Sequence, residues 1–276
     1  MFSERLVLGT AQARPGYGIT TKVIQQENEF LSMLKVAKQL DIHWIDTAQN
    51  YGLAEYWIGK NSEFQFRVAS KITIKGSSTA SLKEDVEQSA LALGRNQLRV
   101  VFAHDWEESH PQDRDNFLSM QSDYSHLKFG VSLYETSSLT DLLSHKSAPP
   151  IIQIPFSVLN QSFLPLLENC KVHGIEVWAR SIFLQGAIDF NSSRNPFRDD
   201  PDIIKLADFC TRNNVSPFQV ATSFVFSTSV DKIVVGFESA SQLEEIVKLF
   251  NSPEELANLD ELGSKNPDLT DPRRWK

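Results

Sequence analysis

The sequence contains few cysteines and no long apolar run, and both features limit the classes of protein to which it can belong. Its two cysteines, Cys170 and Cys210, are far apart in the 276-residue chain, so they form no closely spaced metal-ligand pair and fit a reducing compartment. No apolar run approaches the roughly 18 residues that a membrane-spanning helix needs. The opening "MFSERLVLGTAQ" carries charge where a signal peptide needs its apolar segment. We therefore expect a cytoplasmic protein without a signal peptide or a membrane anchor.

Basic residues are also scarce relative to acidic ones. Lys and Arg number 27 against 35 Asp and Glu, which gives a net charge of −8. An acidic chain without a basic stripe is a poor ligand for nucleic acid or an anionic membrane, so we expect neither as a partner. The hydrophobic content of 41% supports one large core, and no Pro-, Gly- or Ser-rich linker divides the chain. We therefore predict a single domain over residues 1–276, either a monomer or a weak homo-oligomer.

Short apolar runs rich in β-branched residues alternate with helical patterns along most of the chain. The predicted strands are 5–10, 42–46, 66–71, 98–104, 127–132, 151–154, 175–181 and 232–236. They are largely apolar instead of alternating with polar residues, which is typical of parallel strands covered on both faces. Eight such βα units predict a (β/α)8 TIM barrel, and an open doubly wound sheet is the alternative.

Several helices carry signals at their ends. The segment 81–94 begins with Ser and Glu at capping-box spacing and ends at a Gly. Ser followed by Pro at 216–217 predicts a helix start, and the same pair recurs at 252–253. The segment 29–40 places its apolar residues along one face, as an amphipathic helix packed on a core does.

Four polar residues stand at or just beyond the ends of three neighbouring strands. Asp46 ends the second strand and Tyr51 follows it, while Lys71 and His104 end the third and fourth. The carboxyl ends of barrel strands meet at one rim, where catalytic groups of this architecture lie. Taken singly, the four have structural explanations as a turn cap, a half-buried aromatic, a lysine reaching solvent and a core histidine. Their joint placement favours a functional site.

This set of side chains has a coherent chemistry. A tyrosine hydroxyl ordinarily titrates near pH 10. A nearby ammonium group lowers that pKa by stabilising the phenolate, and a carboxylate holds the ammonium group in place. A histidine beside the phenol can orient a bound carbonyl. The four residues therefore predict a general acid for the reduction of a carbonyl, with the hydride supplied by a cofactor.

The residues around these four positions resemble the aldo-keto reductase family. The segments "IDTAQNYGLAEYWIG", "VASKI" and "VVFAHD" match it in order and spacing, and "LVLGTAQ" and "VVGFESASQLEEI" are similar to its first strand and cofactor loop. The resemblance spans essentially the whole chain. It implies that Tyr51 donates the proton, that Lys71 and Asp46 tune its pKa and that His104 orients the substrate.

The resemblance also implies a cofactor, NADP(H) or NAD(H), bound across the barrel mouth without a Rossmann domain. The chain has no GxGxxG motif, and "GYG" at 16–18 is predicted to be a turn. The positions that match the family's cofactor contacts are Thr10, Ser132, Gln153, Arg180, Ser181, Leu184, Gly186, Gly236, Glu238, Ser239, Gln242 and Glu245.

The sequence departs from the family's pattern at three positions. Leu133 follows Ser132 where an asparagine is usual. Arg180 replaces a tyrosine that stacks on the nicotinamide; a guanidinium can also stack on a ring, and the alternative is an ion pair with a rim carboxylate. Glu238 stands where NADPH-preferring members have Arg or Lys. A carboxylate repels a 2′-phosphate but accepts hydrogen bonds from a ribose hydroxyl, which argues slightly against strict NADPH use, unless Glu238 is simply a solvated loop residue.

Two other functions remain as alternatives. One is a non-catalytic nicotinamide-binding or regulatory protein on the same barrel. The other is a metal-dependent hydrolase, although the six histidines are scattered and no Cys/His cluster appears, so we expect no metal site.

The substrate is expected to be a small carbonyl compound, possibly sugar-like, because the loops are polar. Trp106, Phe197 and Trp275 lie in rim segments, where they either line the pocket or anchor their loops. The C-terminal tail is expected to lie over the barrel mouth.

Overall fold

A computed structural model of the protein describes residues 4–19, 26–144 and 148–275. Eight parallel strands form a closed barrel in the order of the sequence. They are β1 (Leu6–Gly9), β2 (Trp44–Asp46), β3 (Arg67–Ile72), β4 (Leu98–Ala103), β5 (Lys128–Ser132), β6 (Ile151–Pro155), β7 (Glu176–Arg180) and β8 (Lys232–Gly236). The first and last strands pair, with Val7 opposite Val234. The predicted (β/α)8 TIM barrel is therefore confirmed, and the open doubly wound sheet is wrong.

Helices follow the strands and cover the outside of the barrel. They are α1 (Glu27–Gln39), α2 (Ala54–Lys60), α3 (Thr79–Leu93), α4 (Pro111–Ser119), α5 (Thr136–Ser144), α6 (Leu167–Val172), α7 (Pro201–Asn213), α8 (Pro217–Phe226), α9 (Ala240–Asn251) and α10 (Pro267–Thr270). Helices α7 and α8 both follow β7, and α10 lies in the C-terminal segment. Within the described ranges, no helix has the length and apolar character to cross a membrane.

The predicted start of α3 is wrong by about one turn, although its end is confirmed. The N-cap is Ser78, whose hydroxyl accepts a hydrogen bond from the Ser81 backbone N–H at 3.2 Å. Ser81 therefore lies inside the first turn instead of capping it. The helix ends at Gly94, whose φ of 79° lies in the region that favours glycine.

Of the two predicted Ser-Pro helix starts, one is confirmed and one is wrong. Ser216 caps α8 and forms a capping box with Gln219. Ser252, in contrast, is the C-terminal cap of α9, because the amphipathic pattern of that helix continues to Asn251. The residues after Ser252 have no regular secondary structure until a 3-10 turn over Leu259–Leu262 returns two leucines to the core.

The barrel interior determines which side chains reach the site. A small apolar cluster fills it, made up of Val7, Ala69, Val100, Phe102, Ile151, Trp178 and Val234. Side chains alternate faces along a strand, so the residue two places further on points to the same side. Two places beyond Ala69, Phe102, Ile151, Trp178 and Val234 stand Lys71, His104, Gln153, Arg180 and Gly236. The layer above the apolar interior is thus polar, and it lies at the carboxyl ends of the strands.

Candidate active site

A cavity of about 800 Å³ opens at the carboxyl ends of the strands. All four predicted catalytic residues line it: Asp46, Tyr51, Lys71 and His104. Eight of the predicted cofactor contacts line it as well: Ser132, Gln153, Arg180, Ser181, Gly186, Gly236, Glu238 and Gln242. Residues from seven different strand ends or following loops therefore meet in one cavity.

A buried ion pair lies at the floor of this cavity. The Lys71 Nζ is 2.5 Å from Asp46 Oδ2, and both side chains are almost completely buried. Lys71 also donates to the Thr47 carbonyl at 3.0 Å, and Gln153 Nε2 donates to Asp46 Oδ1 at 2.7 Å. Burial lowers the pKa of the Lys71 ammonium, and the Asp46 carboxylate opposes that effect. These hydrogen bonds hold the ammonium group in one place.

Tyr51 lies against both the histidine and the lysine. Its ring is 6.0 Å from the His104 ring, centroid to centroid, in an edge-on arrangement, and Lys71 Nζ is 5.0 Å from the Tyr51 ring centroid. Burial, followed by the charge of Asp46, raises the pKa of the Tyr51 hydroxyl above its ordinary value. The net pKa shift of Tyr51 is therefore upward, opposite to the expected lowering, because burial and the Asp46 charge outweigh the positive charges of Arg180 and Arg14. The hydroxyl is neutral and retains its proton.

His104 is also neutral at physiological pH. Burial lowers the pKa of its imidazole to about 3, and the positive charges of Lys71, Arg180 and Arg14 act in the same direction. A neutral imidazole has one N–H donor and one acceptor nitrogen. His104 can therefore donate one hydrogen bond to an oxygen atom placed between it and Tyr51.

Two glutamines present unused acceptor atoms near the site. Gln153 is fully buried, and its Oε1 has no hydrogen-bond partner among the described residues, although its Nε2 is held by Asp46. Gln12 Oε1 is likewise without a partner there. A Cβ atom on Gly236 would lie only 2.2 Å from the Gln12 side chain, so glycine allows this close approach. Buried oxygen atoms are almost always hydrogen-bonded, so a ligand or water molecule is expected to donate a hydrogen bond to each of these two acceptors.

The loop after β7 has an unusual backbone. Ser181, Leu184 and Gln185 have φ values of 60°, 46° and 51°, and Gly186 has 93°. Non-glycine residues are rare in this region, and such clusters occur at functional loops. Ser181 and Gly186 line the cavity. Leu184 does not: its side chain is fully buried in the core, so the predicted contact is restricted to its backbone.

The loop after β8 is closed by its own side chains. Gln242 Oε1 accepts from the Glu238 backbone N–H at 2.8 Å, and the Ser239 hydroxyl accepts from the Gln242 N–H at 3.2 Å, which caps α9. Glu238 and Gln242 line the cavity, whereas Ser239 does not.

Two further predicted contacts also lie away from the cavity. Glu245 is exposed on α9. Thr10 is buried and donates its hydroxyl hydrogen bond to the Asp46 carbonyl at 3.1 Å. Thr10 therefore supports the backbone beneath the ion pair.

Arg180 is held by backbone and aromatic contacts. Its Nη2 donates to the Leu133 carbonyl at 3.0 Å, and its guanidinium carbon is 4.1 Å from the centroid of the Tyr134 ring. The alternative ion pair with a rim carboxylate does not occur among the residues that the structure describes. The Leu133 side chain lies in the apolar core, so only its carbonyl contacts the site.

Several cavity residues had no recognisable signal in the sequence. Tyr17 lies in the "GYG" segment, and the turn there spans 14–17, starting two residues before the predicted turn, because the Tyr17 N–H donates to the Arg14 carbonyl at 3.2 Å. Tyr17 nevertheless lines the cavity, and burial raises the pKa of its hydroxyl. The remaining unpredicted lining residues include Tyr134, Pro272 and part of the segment 189–194.

The three rim aromatics anchor their loops and do not line the cavity. Trp106 is buried against the Arg114 guanidinium, whose carbon is 5.1 Å from the ring centroid. Phe197 and Trp275 pack on one another with centroids 5.3 Å apart. In the described ranges, no three His, Cys, Asp or Glu side chains are grouped so that they could hold a metal ion.

The closed barrel and its polar cavity define a TIM-barrel protein whose site is built from strand ends and the loops that follow them. The family model for the aldo/keto reductase family matches residues 5–264, and the chain belongs to this family. A search of curated proteins found no match.

Solved structures share the fold at low sequence identity. The holo form of the aldo-keto reductase AKR11C1 from Bacillus halodurans is 17% identical, with a TM-score of 0.74 over 94% of this chain and 90% of that one. The aldo-keto reductase AKR2E4 from Bombyx mori, solved in complex with NADP, is 18% identical, with a TM-score of 0.67 over 95% and 89%.

Proposed function

We propose that the protein is an NAD(P)H-dependent oxidoreductase that reduces an aldehyde or ketone, with Tyr51 as the general acid. The observation that carries this proposal is the packing of Tyr51 against His104 and against the buried Lys71–Asp46 ion pair. The substrate is a small carbonyl compound, possibly sugar-like. The protein acts as a monomer or weak homo-oligomer in the cytoplasm.

The raised pKa of Tyr51 suits proton donation to a developing alkoxide. A phenol with a raised pKa keeps its proton while the substrate is a neutral carbonyl. An alkoxide is a far stronger base than a carbonyl oxygen, so the proton is transferred only as the hydride arrives. The Lys71 ammonium, 5.0 Å from the ring centroid, then stabilises the phenolate that is left behind.

His104 positions the carbonyl. Because its imidazole is neutral, it contributes a hydrogen-bond donor without adding a charge beside Tyr51. Asp46 keeps Lys71 in place through the 2.5 Å ion pair, and Gln153 fixes the second carboxylate oxygen. Asp46 thus acts through Lys71, while Tyr51 and His104 face the reacting oxygen.

The cavity residues fit a nicotinamide cofactor, which supplies the hydride when bound. Ser132 and Gln153 are register partners in the β5–β6 ladder, and the orphan Gln153 Oε1 suits the amide of a nicotinamide. Gly186, Gly236, Glu238 and Gln242 also line the cavity, and the Glu238 and Gln242 side chains would hold the adenosine ribose of such a cofactor. Family membership and the NADP complex of the Bombyx mori protein support NADP(H); the Glu238 carboxylate supports NAD(H) as an additional cofactor.

The proposal is tested by titrating the purified protein with NADPH and with NADH. Tryptophan fluorescence reports binding, and loss of the near-ultraviolet absorbance of the reduced nicotinamide reports turnover with para-nitrobenzaldehyde. We expect micromolar binding of at least one nucleotide together with turnover. Binding without turnover would support the non-catalytic nicotinamide-binding alternative, and no binding of either nucleotide would contradict both functions.

A further inference from the structure

Arg180 is a half-buried cation that forms no ion pair with a carboxylate in the described ranges of the chain. It lines the cavity, and the only hydrogen bond from its guanidinium to a described residue is the one to the Leu133 carbonyl. A guanidinium group has five N–H donors, so most of its donors are unused. Asp189 and Glu238 also line the cavity, but neither forms an ion pair with Arg180 in the described part of the chain. An unpaired, partly desolvated charge is costly, so this position is suited to an anionic ligand.

The surroundings of Arg180 explain why it remains unpaired. Arg273 stacks on the same Tyr134 ring, with its guanidinium carbon also 4.1 Å from the centroid. Arg273 forms ion pairs with two carboxylates, Glu135 at 2.6 Å and Asp271 at 2.7 Å. The Tyr134 ring and the Leu133 carbonyl therefore hold the guanidinium of Arg180 in place, while Arg273 forms the ion pairs with Glu135 and Asp271.

Arg180 also lies close to the reacting groups. Its positive charge lowers the pKa of both Tyr51 and His104, although burial dominates each pKa. Lys71, which lies at the same level of the barrel, is already paired with Asp46. A substrate whose carbonyl oxygen lies between Tyr51 and His104 would thus place a substituent within reach of Arg180.

We propose that Arg180 binds an oxyanion of the substrate, so that the protein selects carbonyl compounds carrying a carboxylate or a phosphate. Guanidinium groups recognise both anions through paired N–H donors. This inference rests on the proposed carbonyl reduction. It names Arg180 as the residue that determines substrate charge.

The test compares substrates that differ only in charge. Para-carboxybenzaldehyde and methyl para-formylbenzoate share a ring and a carbonyl, and para-formylphenyl phosphate provides the phosphate arm. We expect wild type to favour one of the two anions over the neutral ester by about 10- to 100-fold in kcat/KM, the range for a charge-assisted hydrogen-bonded pair. The anion with the larger ratio identifies the natural group.

The matched variants are Arg180→Gln and Arg194→Gln, which remove the same charge from two places in one cavity. Arg180→Gln is expected to bring the anion-to-ester ratio to about one, whatever happens to the absolute rates, while Arg194→Gln leaves the ratio as in wild type. A wild-type ratio near one, or an equal fall in both variants, overturns the inference. A preserved ratio with weaker nucleotide binding in Arg180→Gln also overturns it, because Arg180 would then act on the cofactor.

A binding measurement separates this inference from the proposed function. If none of the three aldehydes is reduced, the proposed function fails, but calorimetric titration with para-methylbenzoate, para-tolyl phosphate and the neutral para-methylbenzamide still tests the oxyanion site. We expect wild type to bind at least one of the two anions more tightly than the amide, and Arg180→Gln to lose that difference. Equal binding of all three compounds by wild type would overturn the inference.

Discussion

Removing the ammonium group of Lys71 is expected to destabilise the protein severely. The Lys71 and Asp46 side chains are only 1% and 5% exposed, with their charged atoms 2.5 Å apart. Lys71→Met preserves the length of the apolar stem but leaves the Asp46 carboxylate buried, with Gln153 Nε2 as its remaining side-chain donor. Breaking a buried pair in this way costs about 3–5 kcal/mol, most of it the cost of the uncompensated charge. That is a large part of the stability of an ordinary domain.

A double variant tests this explanation. Asp46→Asn together with Lys71→Met removes both charges, and the new amide oxygen can still accept from Gln153. Replacing a buried ion pair by neutral groups is often close to neutral, so the double variant should recover most of the lost stability. Lys60→Met is the control: its pair with Glu27 has the same 2.5 Å separation but lies at the surface, where we expect no measurable loss.

Urea unfolding followed by tryptophan fluorescence measures all four proteins. The reasoning is refuted if Lys71→Met loses less than about 1 kcal/mol, or if the double variant is no more stable than Lys71→Met.

Three further predictions concern pH, cofactor choice and a loop. The unfolded state protonates His104 near its ordinary pKa of 6.5, whereas the folded state does so only near 3, so stability is lost as pH falls below 6.5. Between pH 7 and 5, the unfolding free energy of wild type should fall by about 2 kcal/mol more than that of His104→Asn. Parallel curves of unfolding free energy against pH for the two proteins would contradict this prediction. Glu238→Arg should shift the ratio of nucleotide dissociation constants toward NADPH by about tenfold, and an unchanged ratio in the fluorescence titration would remove Glu238 from cofactor choice. Asn195→Ala should lower the free energy of unfolding in urea by about 2 kcal/mol. The buried amide of Asn195 donates to the Ala187 carbonyl at 2.7 Å and accepts from the Phe197 N–H at 2.9 Å, and the variant loses both hydrogen bonds. A loss below about 0.5 kcal/mol would show that water replaces these bonds.

The barrel was predictable because its strands are apolar and parallel. Buried strands show continuous apolar runs, and the carboxyl ends of parallel strands meet at one edge, so Asp46, Lys71 and His104 could be placed together without coordinates. Helix boundaries were less predictable. Ser78 and Ser81 are both plausible caps by sequence, and only the hydrogen bond from Ser81 N–H to the Ser78 hydroxyl distinguishes them. Ser252 had the residue type of an N-cap but ends the preceding helix.

The site was predictable where residues end strands and less so where they lie in loops. Tyr17 and Tyr134 belong to turn and loop segments that have no hydrophobic periodicity, so the sequence did not predict that their side chains line the cavity. The direction of the Tyr51 pKa shift depends on how deeply the hydroxyl is buried and on its distance from Asp46, which sequence spacing does not determine. The unpaired state of Arg180 likewise depends on Arg273, which is distant in sequence and occupies the nearby carboxylates.

The most direct test of proton donation by Tyr51 is the kcat of wild type and Tyr51→Phe in the NADPH-dependent reduction of para-nitrobenzaldehyde. The dissociation constant of the nucleotide is measured on the same preparations by tryptophan fluorescence. Tyr51→Phe removes only the hydroxyl and leaves the ring that packs against His104 and Lys71. Proton donation by Tyr51 predicts a fall in kcat of at least about 100-fold with nucleotide binding unchanged. An equal kcat in the two proteins would contradict it.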